Sequence, residues 1–115
     1  MEEWVYKIAR QREWDEIGKT GSFTGSPDDR RDGYIHLSTA GQVRTTCNKW
    51  FKDESNLLLV TLHSHRLGTA LKWEASRGGE KFPHLYAGLP IGWVHSVVPI
   101  RREPDGSPIF PPEIP

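Results

Sequence analysis

Four side chains in three separate stretches are best suited to chemistry: His36, His84, Glu74 and Glu80. An imidazole titrates near neutrality, so it can hand over a proton, take one, or anchor a hydroxyl. A carboxylate stabilises positive charge that develops during bond breaking. Nearby stand groups that hold a ligand rather than react with it, the hydroxyls of Ser38 and Thr39 and the rings of Trp73 and Tyr86. His84 taken alone equally well fixes its own loop by bonding a backbone carbonyl; paired with His36 it acquires a functional reading. His63 and His65 would point the same way on an extended strand, but no third ligand stands at a recognisable spacing, so no metal is assigned.

These groups need elements to position them. Around His36, Asp32-Gly33 reads as a turn, because glycine enters positive φ without steric cost and aspartate bonds back to its own backbone. A short strand follows, with Ile35 and Leu37 on one face and Tyr34, His36 and Ser38 on the other. Thr39 and Gln42 then have the offset of a capping box, and Ala40, Val43, Cys47, Trp50 and Phe51 recur at helical spacing. His36 thus precedes a helix N-terminus, which favours anions such as phosphate. Cys47 falls inside the apolar stripe and reads as a core residue. Around His84, Pro83 and Pro90 restrain the backbone, so 82–90 is expected as a fixed loop or edge strand.

The remaining chain supplies the frame. Trp4 to Ala9 alternates like a strand, with Trp4, Tyr6 and Ile8 opposite Val5 and Lys7. A short helix is expected over Arg10 to Gly18, closed by Gly18, and Thr20 to Asp32 reads as a loop that can drape over a ligand. Leu57 to Leu62 is a nearly continuous apolar run, the pattern of a buried central strand. Leu71, Trp73 and Ala75 alternate with Lys72 and Glu74, a turn is expected over 76–81, and Trp93 to Ile100 alternates again. From about residue 103 a proline-rich tail makes a turn at Asp105-Gly106, tucks Ile109 or Phe110 against the body, and frays. The sum is an α+β domain with a mostly antiparallel sheet and two flanking helices.

The totals narrow the function classes. With 115 residues the chain is one domain with a modest core. Fifteen basic and fifteen acidic residues cancel, so charge predicts no nucleic-acid or membrane partner. One cysteine forms no internal disulfide, no apolar run approaches a membrane span, and the start Met1-Glu2-Glu3-Trp4 has no leader pattern. A cytoplasmic location is expected. Oligomeric state is not encoded in these features.

Three motifs in order, 33–40 (Gly-Tyr-Ile-His-Leu-Ser-Thr-Ala), 71–74 (Leu-Lys-Trp-Glu) and 79–86 (Gly-Glu-Lys-Phe-Pro-His-Leu-Tyr), resemble the bacterial domain of unknown function 952 family. Tyr6-Lys7-Ile8 and Asp105-Gly106 fit it as well. The resemblance implies a fold similar to the ADP-ribosyltransferases, a compact two-sheet core with flanking helices that grips NAD in a cleft. In transferases of the histidine, tyrosine, glutamate type, the strand histidine bonds a ribose hydroxyl of NAD, an aromatic stacks on nicotinamide, and a glutamate stabilises the oxocarbenium-like sugar. His36 with Ser38 or Thr39, then Tyr86 or Trp73, then Glu74 or Glu80 are the matching positions. Both glutamates precede Tyr86, whereas that type places glutamate last. The resemblance thus implies NAD or a related nucleotide as ligand, with an ADP-ribosyltransferase-like activity on it and no firm cofactor; a module that binds such a ligand or a partner loop without turnover is the alternative.

Overall fold

The structure is a computed structural model that describes residues 3–76 and 78–115. The N-terminal pair Met1 and Glu2, and Arg77 within the expected 76–81 turn, lie outside the described residues. Along the chain run β1 (Trp4–Arg10), α1 (Gln11–Trp14), α2 (Ile17–Thr20), β2 (Ser22–Phe23), α3 (Pro27–Asp32), β3 (Ile35–His36) and α4 (Ala40–Trp50). Then follow β4 (Leu57–His63), α5 (Ser64–Leu67), β5 (Leu71–Ala75), β6 (Lys81–Leu85), β7 (Leu89–Pro90), β8 (Val94–Pro99), β9 (Arg101–Arg102) and β10 (Pro108–Ile109). The class is α+β with antiparallel pairing, as expected.

Two three-stranded sheets organise the molecule, one in the order β1-β4-β8 and the other β3-β6-β5. Val5, Lys7 and Ala9 share one face of β1 and pair with Leu62, Val60 and Leu58 of β4. The apolar members of that face pack against Ile35, Leu37 and Leu85 of the second sheet. Tyr6 and Ile8 point the other way, to Val43 and Cys47 of α4. β1 and β4 are therefore covered on both sides, which explains why β4 is nearly all apolar. The sheets are joined where Tyr6 and Ser38 exchange backbone bonds at 2.8 and 2.9 Å.

Five local outcomes differ from expectation. The first helix breaks into α1 and α2, and Gly21 rather than Gly18 closes it, at φ 78°. Instead of one long loop, residues 20–32 contain α3, started by Ser26 and Asp29 in a reciprocal capping box with Pro27 at the first helical position. The segment around His84 is a central strand. Pro83 is tolerated there because its carbonyl accepts from Leu37 N–H at 3.0 Å, so its missing N–H falls on the side where β3 has ended. The tail folds back as the β9–β10 hairpin, and Ile114 is buried in the core beside Val43 and Cys47; Phe110 packs there too, while Ile109 is exposed. Where β4 ends, His63 closes the strand and His65 already belongs to α5, so the two are not strand neighbours on one face.

Candidate functional site

The outer face of the second sheet collects the chemistry. β3 pairs with β6 so that Ile35 opposes Leu85 and His36 opposes His84; β5 pairs with β6 so that Lys72 opposes His84 and Glu74 opposes Phe82. Directly opposed residues share a face, so Ile35, Leu71 and Leu85 turn inward while His36, Lys72, His84 and Glu74 turn outward. The imidazoles of His36 and His84 lie 5.7 Å apart, edge to face. Tyr34 stacks on His84 at 4.1 Å and touches the rings of His36 at 4.7 Å and Tyr86 at 5.1 Å.

Each histidine has its own carboxylate. His84 Nδ1 is 2.7 Å from Glu74 Oε1, and the Tyr86 hydroxyl donates to the same oxygen at 2.8 Å. These bonds, His84 first and Tyr86 second, hold Glu74 below the usual glutamate range. The same bond pushes the Tyr86 phenol up to about 12, because ionising it would place two negative charges together. Tyr34 is also raised, first by burial and then by the charges of Asp32, Glu74 and Asp29.

His36 is held by Asp29, a residue on which the sequence reading placed no role. The Asp29 side chain is 1% exposed. Its Oδ1 lies 2.6 Å from His36 Nδ1 and accepts the His36 backbone N–H at 3.1 Å. Its Oδ2 meets Lys7 Nζ at 2.8 Å and the Ser26 N–H at 2.9 Å. Burial, the largest single effect, opposes ionisation of Asp29, yet the His36 bond, the Lys7 charge and bond and the Ser26 amide together drive its pKa well below normal. An ionised Asp29 accepts only, so His36 Nδ1 carries a proton toward it. At present Nε2 is 3.0 Å from Asp32 Oδ2. Gly25 fits against this centre at φ 103°, where a Cβ would come within 2.6 Å of Asp29 Cβ.

Of the residues singled out from sequence, His36, His84, Glu74 and Tyr86 converge on this face. The others do not join them. Trp73 opposes Pro83 and packs on the core, on the opposite face from Glu74. Glu80 accepts from Gln42 Nε2 at 3.1 Å. Ser38 is buried, its hydroxyl 3.1 Å from that of Thr46. Thr39 starts α4, its N–H donating to Gln42 Oε1 at 3.0 Å. Strand alternation explains the Trp73 outcome, since residues 73 and 74 cannot share a face. Tyr34 was legible as a face-mate of His36, but its role as the ring joining both histidines was not. Asp29 carried one signal, the Ser26 to Asp29 offset of a capping box, but no local pattern tells that its second oxygen reaches His36.

Beside this face lies an open depression of about 300 Å³ bordered by Thr24, Asp29, Arg30, Tyr34, Tyr86 and Gly88. The chain is thus a small α+β domain whose outer sheet face carries two histidine–carboxylate pairs next to a hollow. It belongs to the family described as a protein of unknown function (DUF952), whose profile matches residues 8–97. It is similar to the crystal structure of protein CC0527 from Caulobacter crescentus, with 43% identity over 92% of this chain and 93% of that one and a TM-score of 0.87. The solution structure of CC0527 is also similar, at 44% identity over 91% and 90% of the two chains and a TM-score of 0.82. Among curated proteins, none matches the chain.

Proposed function

We propose that the two-histidine face binds NAD or a related nucleotide and acts on the ribose bond in the manner of an ADP-ribosyltransferase. In this reading His36 Nε2 exchanges Asp32 for a ribose hydroxyl, Tyr86 stacks on the departing base, and Glu74 stabilises the oxocarbenium-like sugar as the glycosidic bond breaks. The electron pair of that bond leaves with nicotinamide, and water or an acceptor hydroxyl adds to the sugar carbon and releases its proton to solvent. The observation that carries the reading is the placement of Glu74. Both of its bonds fall on Oε1, and among the described residues none falls on Oε2, so one oxygen of an ionised, 40% exposed carboxylate is open to a cation. The match of His36, Tyr86 and Glu74 to the histidine, tyrosine, glutamate pattern in kind, though not in chain order, supports it further.

The test is an amide-shift titration of labelled protein with NAD, ADP-ribose and nicotinamide, followed by an assay for nicotinamide release. Shifts centred on His36, Tyr34 and Tyr86 are expected. Glu74→Gln should retain the shifts and lose turnover by a factor of 10² or more, the scale of removing one stabilising group from a transition state. Binding by the wild type with no nicotinamide released assigns the non-catalytic alternative; silence with all three ligands removes the nucleotide reading.

A further inference from the structure

Arg30 and Arg31 are neighbours on α3 but are used differently. The Arg31 guanidinium lies 3.2 Å from Asp28 and 3.1 Å from Asp32, so its charge is matched locally. Arg30 is exposed and, among the described residues, forms no ion pair; its side-chain bond is from Nη2 to the Gly25 carbonyl at 3.2 Å. A guanidinium has five N–H donors in a planar fork, so a single bond to a neutral oxygen leaves most of that capacity unused. Arg30 borders the depression, together with Thr24, Tyr34 and Tyr86. Asp29 also borders it, but Lys7 at 2.8 Å balances that carboxylate from within the fold, so Arg30 supplies the unbalanced charge of the hollow.

A planar fork beside a hydroxyl suits tetrahedral oxyanions, which accept two parallel N–H bonds and one O–H bond. The depression adjoins the histidine face through Tyr34 and Tyr86, which belong to both. A ligand with its ribose on that face has its next atoms here. We infer that the depression is a phosphate subsite: Arg30, assisted by Thr24, binds the phosphate or pyrophosphate oxygens of the ligand. The inference rests on the nucleotide reading for what is attached to the phosphate, and on Arg30 and the hollow alone for the phosphate itself.

Arg30→Gln is a mild change, because the side chain is exposed and has one bond to lose; Arg31→Gln is the matched control of equal net charge. Inorganic pyrophosphate, ADP-ribose and adenosine are titrated into all three proteins at low salt and followed by amide shifts. Arg30→Gln should bind pyrophosphate and ADP-ribose at least tenfold more weakly than wild type, Arg31→Gln within twofold of it, and adenosine should bind all three alike. Equal affinities in wild type and Arg30→Gln overturn the subsite while leaving the histidine face as a nucleotide site. Equal losses in both variants also overturn it, since diffuse charge would then suffice. If pyrophosphate binds in an Arg30-dependent way but ADP-ribose and adenosine do not bind, the subsite stands and the nucleotide reading falls. Silence with every probe overturns both.

Discussion

His36 and His84 oppose each other on neighbouring strands, yet their carboxylate partners are of opposite kinds. Asp29 is sealed inside the fold, with His36, Lys7 and two backbone amides sharing its two oxygens. Glu74 is nearly half exposed, and its two partners crowd onto one oxygen. The first arrangement holds ring and strand together: the orientation of the imidazole and the backbone N–H of its own residue are set by the same carboxylate. The second leaves an oxygen with no protein partner among the described residues. One histidine is thus fixed by a buried carboxylate, and the other is tied to a carboxylate that reaches solvent. The comparison teaches that one sheet face combines a sealed half and an open half.

The largest test compares two isosteric charge removals. Asp29→Asn leaves the Lys7 ammonium buried without a counter-charge, the situation in which breaking a buried pair costs about 3–5 kcal/mol. Glu74→Gln removes a solvent-screened partner and should cost far less. Urea unfolding at neutral pH measures both. Equal losses would break the comparison and make the two carboxylates alike.

Acid should sharpen the same contrast. The folded pKa of Asp29 lies below its unfolded value of about 3.9, so its stabilisation is complete above that value and is lost as pH falls toward the folded pKa. Glu74 is lowered too and acts in the same direction, but from the surface. Unfolding free energy measured from pH 5 down to 2 should therefore fall steeply in wild type and in Glu74→Gln, and much less steeply in Asp29→Asn. A wild-type slope that survives in Asp29→Asn would assign the acid sensitivity elsewhere.

Much of this frame can be read from the residues, and the reason the rest cannot is non-locality. Alternation locates β1, β5 and β8, the Leu57 run marks β4 as a strand covered on both faces, and Thr39 with Gln42 marks the start of α4. His36 and His84 are separable from the other histidines by their company of strand and proline signals. Lys7 is different. In an alternating strand a lysine reads as a solvated position, and only the second sheet, folded over that face, makes it a buried partner of Asp29. Likewise Pro27-Asp28-Asp29-Arg30-Arg31-Asp32 has no apolar period, so composition reads it as loop, whereas Ser26 caps it as a helix. Prolines make the tail look frayed, while Ile114, contacting residues some seventy positions earlier, holds it down. Trp73 and Glu74 both look functional by type, but adjacent strand positions never share a face.

A smaller effect separates Glu80 from Glu74. Gln42 bonds the Thr39 N–H, the Lys81 carbonyl and Glu80, so it ties the start of α4 to the start of β6. Gln42→Ala should cost about 1–2 kcal/mol, the scale of losing a helix cap with a buried partner left over. Glu80→Gln keeps an acceptor for Gln42 and should change stability by a few tenths of a kcal/mol, with no change in ligand shifts at His36. Loss of nicotinamide release in Glu80→Gln would reassign the reacting carboxylate.

The finest test removes one oxygen from the open half. Tyr86→Phe deletes the hydroxyl that donates to Glu74 Oε1 but keeps the ring beside Tyr34. Because this bond is the second cause of the lowered Glu74 pKa, after His84, the carboxyl should titrate upward without reaching the normal value. Carboxyl-carbon chemical shifts of Glu74 against pH read this directly, and stability should scarcely move, since Tyr86 is exposed. Asp29 should keep its titration unchanged, as it shares no hydrogen bond with Tyr86. If the Glu74 carboxyl instead stays where it is, His84 alone sets its charge. The open half would then be as singly determined as the sealed one, and Tyr86 would be left with the ring contact as its role.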